Sequence, residues 1–195
     1  MDGPARFQEA IRRIDEANRE DPRTDMVAGV ALPRELRFAE RVYQWVSRLV
    51  DDPSEVLLLA ARSHTIRRWA VPRGRFPKNT RGYHEWREAL AAFHADEAAA
   101  IFLDLGYPDE TVQAVRSLIT REHWPESEDA CVLEDADCLA FLELKLERYL
   151  DEWDEDKTLR VLRQTHQKMT PNGRAHLSRL DLPPRAREVL RRATS

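Results

Sequence analysis

The sequence predicts an all-α fold, a single-domain helical bundle, and three observations support that prediction. The 195 residues are rich in Ala, Leu, Glu and Arg, which have high helix propensity. No stretch alternates apolar and polar residues over the length of a strand. Apolar residues instead recur at helical spacing between proline and acidic capping signals. Hydrophobic residues make up 42% of the chain, which is enough for a packed core.

The first third of the chain contains three predicted helices. Residues 5–18 form a short amphipathic helix that ends at the polar segment ANREDPRTD. Pro33 fits the first turn of a second helix, whose apolar residues form one stripe. Asp52 and Pro53 then begin a third helix, SEVLLLAARSHTIRRW. Because this helix is apolar almost all round at its start, we expect it to be the central, buried helix.

A long irregular segment, residues 70–82, follows the third helix, and we expect it to be a functional surface loop. Further helices are predicted at about residues 83–105, 108–120, 130–150 and 158–168, with a short one from Thr170 and a basic one after residue 184. We therefore treat residues 1–195 as one all-α domain. It consists of an N-terminal helix (5–18), a core (34–150) and a C-terminal helical extension (154–193).

Composition excludes several classes of protein. The net charge of −4 is unlike that of a generally basic nucleic-acid coat protein. The chain has no GxGxxG, GxxxxGK[ST] or GxSxG motif, which argues against dinucleotide enzymes, P-loop enzymes and serine hydrolases. Two cysteines do not make a disulfide framework, no apolar run approaches the roughly 20 residues of a membrane span, and the N-terminus lacks a signal-like apolar core. We expect a cytoplasmic protein with no membrane partner.

Basic residues concentrate between residues 62 and 87, where Glu85 is the only acid. The cluster consists of Arg62, Arg67, Arg68, Arg73, Arg75, Lys78, Arg81 and Arg87, interleaved with Trp69, Phe76, Tyr83 and Trp86. Guanidinium groups bind phosphate bidentately and aromatic faces stack on bases, so this segment predicts a site for a nucleotide or a single-stranded nucleic acid. The alternative is a solvated loop whose arginines pair with the acidic stretch 151–156.

Two histidines are candidate metal ligands or acid–base groups. His64 lies at the inner end of the predicted buried helix, beside arginines. His94 lies on the apolar side of the following long helix, three residues before Glu97, and a histidine and a carboxylate at this spacing can share a metal. The alternative for His64 is a hydrogen bond within the core. The alternative for His94 and Glu97 is the N-terminal half of a helix with ordinary acids.

Asp135 is the candidate carboxylate. Helical spacing places it on one face with Cys131, Cys138 and Leu142, which look buried, and an unpaired buried carboxylate would be costly. A metal would satisfy it, and the alternative is a salt bridge to Arg68 or Arg87. The spacing leaves open which of Glu134, Asp135 and Asp137 faces the site. The cysteines match no common zinc spacing and are interpreted as small buried groups.

Several of these segments resemble known families. SHTIRRWAVPRGRFP, RGYHEWR, FHA, LEDADCLAFLE and QTHQKMT together resemble domain of unknown function 4202, from about residue 40 to residue 180. AARSHTIRR also looks like the AALLHDIGK-type segment of the HD-domain metal-dependent phosphohydrolases, and LEDADCLAFLE resembles the late acidic element of that superfamily.

The HD resemblance implies an HD-like all-α core over residues 34–150, with metal ligands on several helices around a phosphate-accepting cleft. His64 takes the place of the paired histidine, His94 that of a later histidine, and Asp135 or Asp137 that of the late aspartate. Thr65 stands where the hallmark aspartate would follow the histidine. The early-helix histidine has no counterpart unless Glu40 substitutes for it.

Together these features predict a metal-dependent hydrolase that acts on a phosphate-containing substrate, a nucleotide, with one divalent metal ion. We assign metal binding to His64, His94 and Asp135, catalytic roles to Arg68, Arg73 and Glu97, and substrate binding to Arg67, Trp69, Arg81, Tyr83, Trp86 and Arg87. The alternative is a non-catalytic nucleotide- or RNA-binding module that uses the basic segment 62–87. A third hypothesis is a protein-interaction domain in which the arginines only balance the charge of the acidic helix.

Overall fold

The computed structural model describes residues 3–194 and confirms the all-α class. The helices are α1 (Gly3–Arg19), α2 (Arg34–Leu49), α3 (Glu55–Ser63), α4 (Thr80–Asp104), α5 (Asp109–Thr120), α6 (Glu128–Leu144), α7 (Leu146–Glu152), α8 (Glu155–Lys168), α9 (Pro171–Ala175) and α10 (Pro184–Thr194). The main packing pairs are α2 with α6, α2 with α3, α3 with α5, α4 with α5, and α8 with α10. No helix within residues 3–194 is both long enough and apolar enough to cross a bilayer.

One β-hairpin interrupts the helices where the sequence predicted only a polar breaker. Strands β1 (Thr24–Val27) and β2 (Val30–Pro33) pair antiparallel. Ala28 and Gly29 connect them with φ values of 48° and 81°. Positive φ at both central residues is typical of the type I′ hairpin turn, whose backbone twist matches the right-handed twist of the two strands. Strands of four residues are too short to show an alternating pattern, so no strand could be predicted here.

Helix α3 is the central helix, as predicted. Leu57, Leu59, Ala60 and Ala61 on it are fully buried. The helix ends at Ser63, however, and not near Trp69 as the sequence suggested. The chain leaves the helix through a turn in which Arg67 has a left-handed φ of 49°. This early end places His64 at the C-cap of α3, where it is still buried.

The loop between α3 and α4 is held in place by its own hydrogen bonds. It contains two short 3-10 turns, Arg68–Ala70 and Arg73–Arg75. The Arg73 guanidinium donates to the carbonyls of Phe76 (3.0 Å) and Pro77 (2.7 Å). The Trp86 indole N–H donates to the Val71 carbonyl at 2.9 Å. These bonds fix the basic loop against the first turns of α4.

The predicted helix over residues 130–150 is two helices in the structure. Helix α6 ends at Leu144 and α7 begins at Leu146, with Lys145 between them at φ −120° and ψ −24°. The break redirects the chain so that α7 and α8 turn back beside α6. As a result, Lys145 projects from a junction and lines a cleft between α4, α6, α7 and α8.

Candidate functional site

The cleft is a cavity of about 1630 Å³ and is strongly basic. Twelve Lys and Arg side chains line it against four Asp and Glu side chains, in a chain whose net charge is −4. Such a concentration of one sign of charge in a concave site attracts counter-charged ligands. The cleft is therefore suited to an anion.

His64 lies at the base of the cleft, paired with Asp137. Its Nδ1 lies 3.0 Å from the carbonyl oxygen of Ala61, and its Nε2 lies 3.1 Å from Oδ1 of Asp137. Both partners are acceptors while Asp137 is ionised, so both bonds form only when the ring carries two protons. Burial alone would raise the pKa of Asp137, but the hydrogen bond and charge of His64 and the charge of Arg121 outweigh burial and hold that pKa far below its usual range. The two contacts fix the orientation of the His64 ring beside the Asp137 carboxylate.

His94 is also buried in the cleft wall but is held neutral. Its Nδ1–H donates to the Ile66 carbonyl at 2.6 Å, and its Nε2 has no hydrogen-bond partner within residues 3–194. Only 3% of the residue is exposed. Burial, followed by the charges of Arg68 and His64, lowers the pKa of His94 to about 3. At neutral pH, His94 therefore presents an unsatisfied lone pair on Nε2, which an O–H or N–H donor would satisfy.

Three cations near the histidines, Arg68, Arg87 and Lys145, have no carboxylate partner in the described part of the chain. The Arg68 guanidinium lies over the Trp86 ring at 5.1 Å, and the Lys145 ammonium lies over the Phe38 ring at 3.3 Å. Burial and the neighbouring charge of Arg121 lower the pKa of Arg87. Burial, together with the charge of Arg68, lowers the pKa of Lys145 to about 8. Each of these charges would be stabilised by a bound anion.

The acids at the cleft base are already neutralised. Glu134 forms ion pairs with Arg121 and, at 3.4 Å, with Lys168. Asp137 is shared between His64 and Arg121, the latter at 3.2 Å. The carboxylates therefore leave Arg68, Arg87 and Lys145 unpaired.

The structure brings together seven of the residues that the sequence singled out. His64, His94, Arg68, Arg73, Tyr83, Trp86 and Arg87 all line the cleft. The predicted metal ligand Asp135 does not join them. It is buried, as predicted, but its carboxylate accepts hydrogen bonds from the backbone N–H of Thr170 (2.8 Å) and from the Thr170 hydroxyl. Asp137, and not Asp135, is the carboxylate that reaches His64.

Other predicted residues lie outside the cleft. Arg67 pairs with Glu20 (3.0 Å) and with Glu97 (3.5 Å), and neither Arg67 nor Glu97 lines the cleft. Arg81 is exposed and pairs with Glu85. Trp69 is half-buried but does not line the cavity. The reserve carboxylate Glu40 pairs with Arg62 at 3.2 Å.

The acidic stretch 151–156 does not neutralise the basic loop. Asp151 forms an ion pair with Arg185, and Glu155 forms one with Arg192. The Asp154 side chain accepts the Lys157 backbone N–H and caps α8. The acids of this stretch thus contact the C-terminal helix or their own helix, and the interpretation of the loop arginines as partners of this stretch is wrong.

Sequence reasoning missed Arg121, Lys145 and one face of α8. Arg121 ends α5 in a left-handed conformation (φ 59°), a position at which a non-glycine residue is uncommon. Lys145 looked like an ordinary residue of a continuous helix. Among the residues that the structure describes, no three His, Cys, Asp or Glu side chains converge closely enough to hold a metal ion.

A family model described as Domain of unknown function (DUF4202) matches residues 8–190. No curated protein and no solved structure matches the chain.

Proposed function

The chain belongs to the DUF4202 family, and we propose that its basic cleft binds a phosphate-bearing small ligand, a nucleotide. The observation that supports this most directly is the group of three unpaired cations, Arg68, Arg87 and Lys145, around the base of the cleft. Keeping unpaired cations together in a partly desolvated site is unfavourable without a counter-ion. A phosphate group offers several acceptor oxygens and the required charge.

The histidines and aromatic residues narrow the ligand class. The unpaired Nε2 of His94 requires a hydrogen-bond donor, which a ribose hydroxyl next to a phosphate supplies. Tyr83 is 47% exposed, and Trp86 lies next to it with ring centroids 5.8 Å apart. Aromatic faces beside a cationic site favour a planar base. A nucleotide carries all three of these groups: an anionic phosphate, a ribose hydroxyl and a planar base.

Replacement of Arg87 by Met should weaken nucleotide binding 10- to 100-fold, because a charge-assisted hydrogen bond contributes about 1.5–3 kcal/mol. Isothermal titration of AMP and ATP into the purified protein measures this. Arg81→Met is the matched control, since Arg81 is on the same segment but is exposed and paired with Glu85. Equal affinity of wild type and the Arg87 variant would contradict the proposal.

A second candidate function is hydrolysis of a phosphate ester in this cleft, favoured by the contrast between the two histidines. The neutral His94 would take a proton from water as the water oxygen forms a bond to phosphorus. The protonated His64, oriented by Asp137, would give its proton to the leaving oxygen as the phosphorus–oxygen ester bond breaks. The products are an alcohol and a phosphate, and solvent exchange restores both rings.

His64, His94 and Asp137 are the residues of the cleft that would hold a divalent metal ion. Their present arrangement does not fit an ion, because Asp137 is bonded to His64 and no three donors converge within residues 3–194. Titration of Mn²⁺ or Zn²⁺ into the protein, with and without a nucleotide, tests whether the ligand assembles such a site.

Phosphate release from nucleotides and p-nitrophenol release from bis(p-nitrophenyl) phosphate both test hydrolysis. His64→Asn and His94→Asn should each reduce the rate by at least about 100-fold, the usual contribution of a positioned acid or base. His123→Asn is the control, because His123 is exposed and outside the cleft. Binding without phosphate release by the wild-type protein would reject hydrolysis and leave the binding proposal in place.

A further inference from the structure

We infer that the cleft continues into a second subsite along α8 and that its ligand is a single-stranded oligonucleotide. The inference rests on the proposed phosphate site for the first nucleotide and adds the surface that would hold the next ones. Four residues of α8 that line the cavity, Lys157, Arg160, Gln164 and Lys168, follow one another at intervals of three or four. They therefore lie on one face of the helix.

The length of this face exceeds what one nucleotide needs. From Lys157 to Lys168 the helix rises about 16 Å, at 1.5 Å per residue. Stacked nucleotides are spaced about 3.4 Å apart along a strand. The cavity volume of about 1630 Å³ is also larger than the roughly 300–1,000 Å³ of a pocket for one small ligand. Space and length both fit a ligand of several nucleotides.

The charge on this wall is suited to a polyanion. Arg160 is exposed and has no ion-pair partner among residues 3–194. The Lys157 ammonium lies over the Trp153 ring at 4.5 Å and likewise has no carboxylate partner in that range. Lys168 is the exception, since it pairs with Glu134. The acids of α8 lie in its first turn, where Glu155 is bound to Arg192.

Aromatic residues accompany the cations in the second subsite, as they do in the first. Trp153 stacks on Tyr149 with ring centroids 4.0 Å apart and an interplanar angle of 13°. Both rings line the cavity, as do Trp86 and Tyr83 of α4. A cationic groove with aromatic residues at intervals is typical of single-strand binding, in which bases stack and phosphates contact the basic groups. A groove for an acidic peptide would need the cations but not the rings.

Fluorescence anisotropy with 5′-labelled oligouridylates of two, four, six and eight nucleotides, with unlabelled UMP as competitor, tests the inference. Affinity should rise at least 10-fold from UMP to the hexamer and then level off. The double variant Lys157→Gln/Arg160→Gln should lose at least 10-fold in hexamer affinity, with UMP affinity unchanged. Its salt slope for the hexamer should fall by about 1.4, the value for two phosphate contacts on a single strand.

Two controls separate this inference from the proposed function. Arg163→Gln removes an exposed charge from α8 outside the cavity and should change neither affinity. Arg87→Met should weaken the binding of UMP and of the hexamer by the same factor. If the hexamer binds no more tightly than UMP while Arg87 still matters, the second subsite is refuted and the first site remains. If neither ligand binds, both fail.

Two further comparisons test the identity of the ligand. Oligothymidylates of the same lengths show whether the strand is RNA or DNA, because only RNA offers the 2′-hydroxyl. A hexaglutamate peptide that bound as tightly as the hexamer, with the same dependence on Lys157 and Arg160, would overturn the assignment to nucleic acid. A hexaglutamate peptide that bound at least 10-fold more weakly would support it.

Discussion

Gly173→Ala should destabilise the protein by about 3–5 kcal/mol, combining overpacking with loss of charge-assisted hydrogen bonds. A Cβ atom at Gly173 would overlap the Asp135 carboxylate, whose farthest oxygen, Oδ2, is only 2.6 Å from that position. The carboxylate cannot move away without losing the hydrogen bonds that it accepts from the backbone N–H and the hydroxyl of Thr170. Thr170 is the N-cap residue of α9. Urea unfolding followed by circular dichroism measures the change.

Gly74→Ala is the matched control, because a Cβ at Gly74 would have no heavy atom within 4 Å. We expect the free energy of unfolding of this variant to stay within about 0.5 kcal/mol of wild type. The double variant Asp135→Ala/Gly173→Ala provides a second check. The Asp135→Ala change removes the carboxylate with which the new Cβ would clash. The losses in the free energy of unfolding of the two single variants should therefore sum to more than the loss of the double variant. Strict additivity would show that the clash is not the cause.

The same aspartate shows where the sequence stops being informative. Helical spacing predicted that Asp135 is buried, and it is. The group that covers it is Thr170, 35 residues later in the chain, and not the cleft. Asp137 lies two residues further along α6, about 200° around the helix axis, and this rotation turns it toward His64. Periodicity gives the face of a helix but not the element that packs on it.

The basic loop and both histidines were predictable because local patterns mark them. His64 follows an apolar helix, His94 lies on an apolar stripe, and the arginines concentrate in one segment. The α8 wall has no such signal, because Lys157, Arg160 and Lys168 form a polar face that looks like a solvated helix surface. Only the break at Lys145, which turns α7 and α8 beside α6, makes that face a cleft wall.

Acidification should reduce the stability of the wild-type protein more steeply than that of His94→Asn. Burial, then the charges of Arg68 and His64, lowers the pKa of His94 to about 3 in the folded protein, whereas an unfolded histidine titrates near pH 6.5. Between these values the unfolded state binds one more proton than the folded state. As the pH is lowered through this range, His94 therefore reduces the free energy of unfolding by up to about 1.4 kcal/mol per pH unit.

Urea unfolding at pH 7, 6, 5 and 4.5 measures that slope, with His123→Asn as the control for loss of an exposed histidine. The Asn side chain can still donate to the Ile66 carbonyl, so the readout is the difference in slope and not the stability at one pH. The lowered pKa of Asp137 also makes the protein less stable as the pH is lowered. This effect begins only below about pH 4, the pKa of an aspartate in the unfolded chain. If the curves of wild type and His94→Asn run parallel, His94 is not held neutral by burial. Its Nε2 would then not be an acceptor that requires a donor, and the argument for a ligand hydroxyl at this position would be lost.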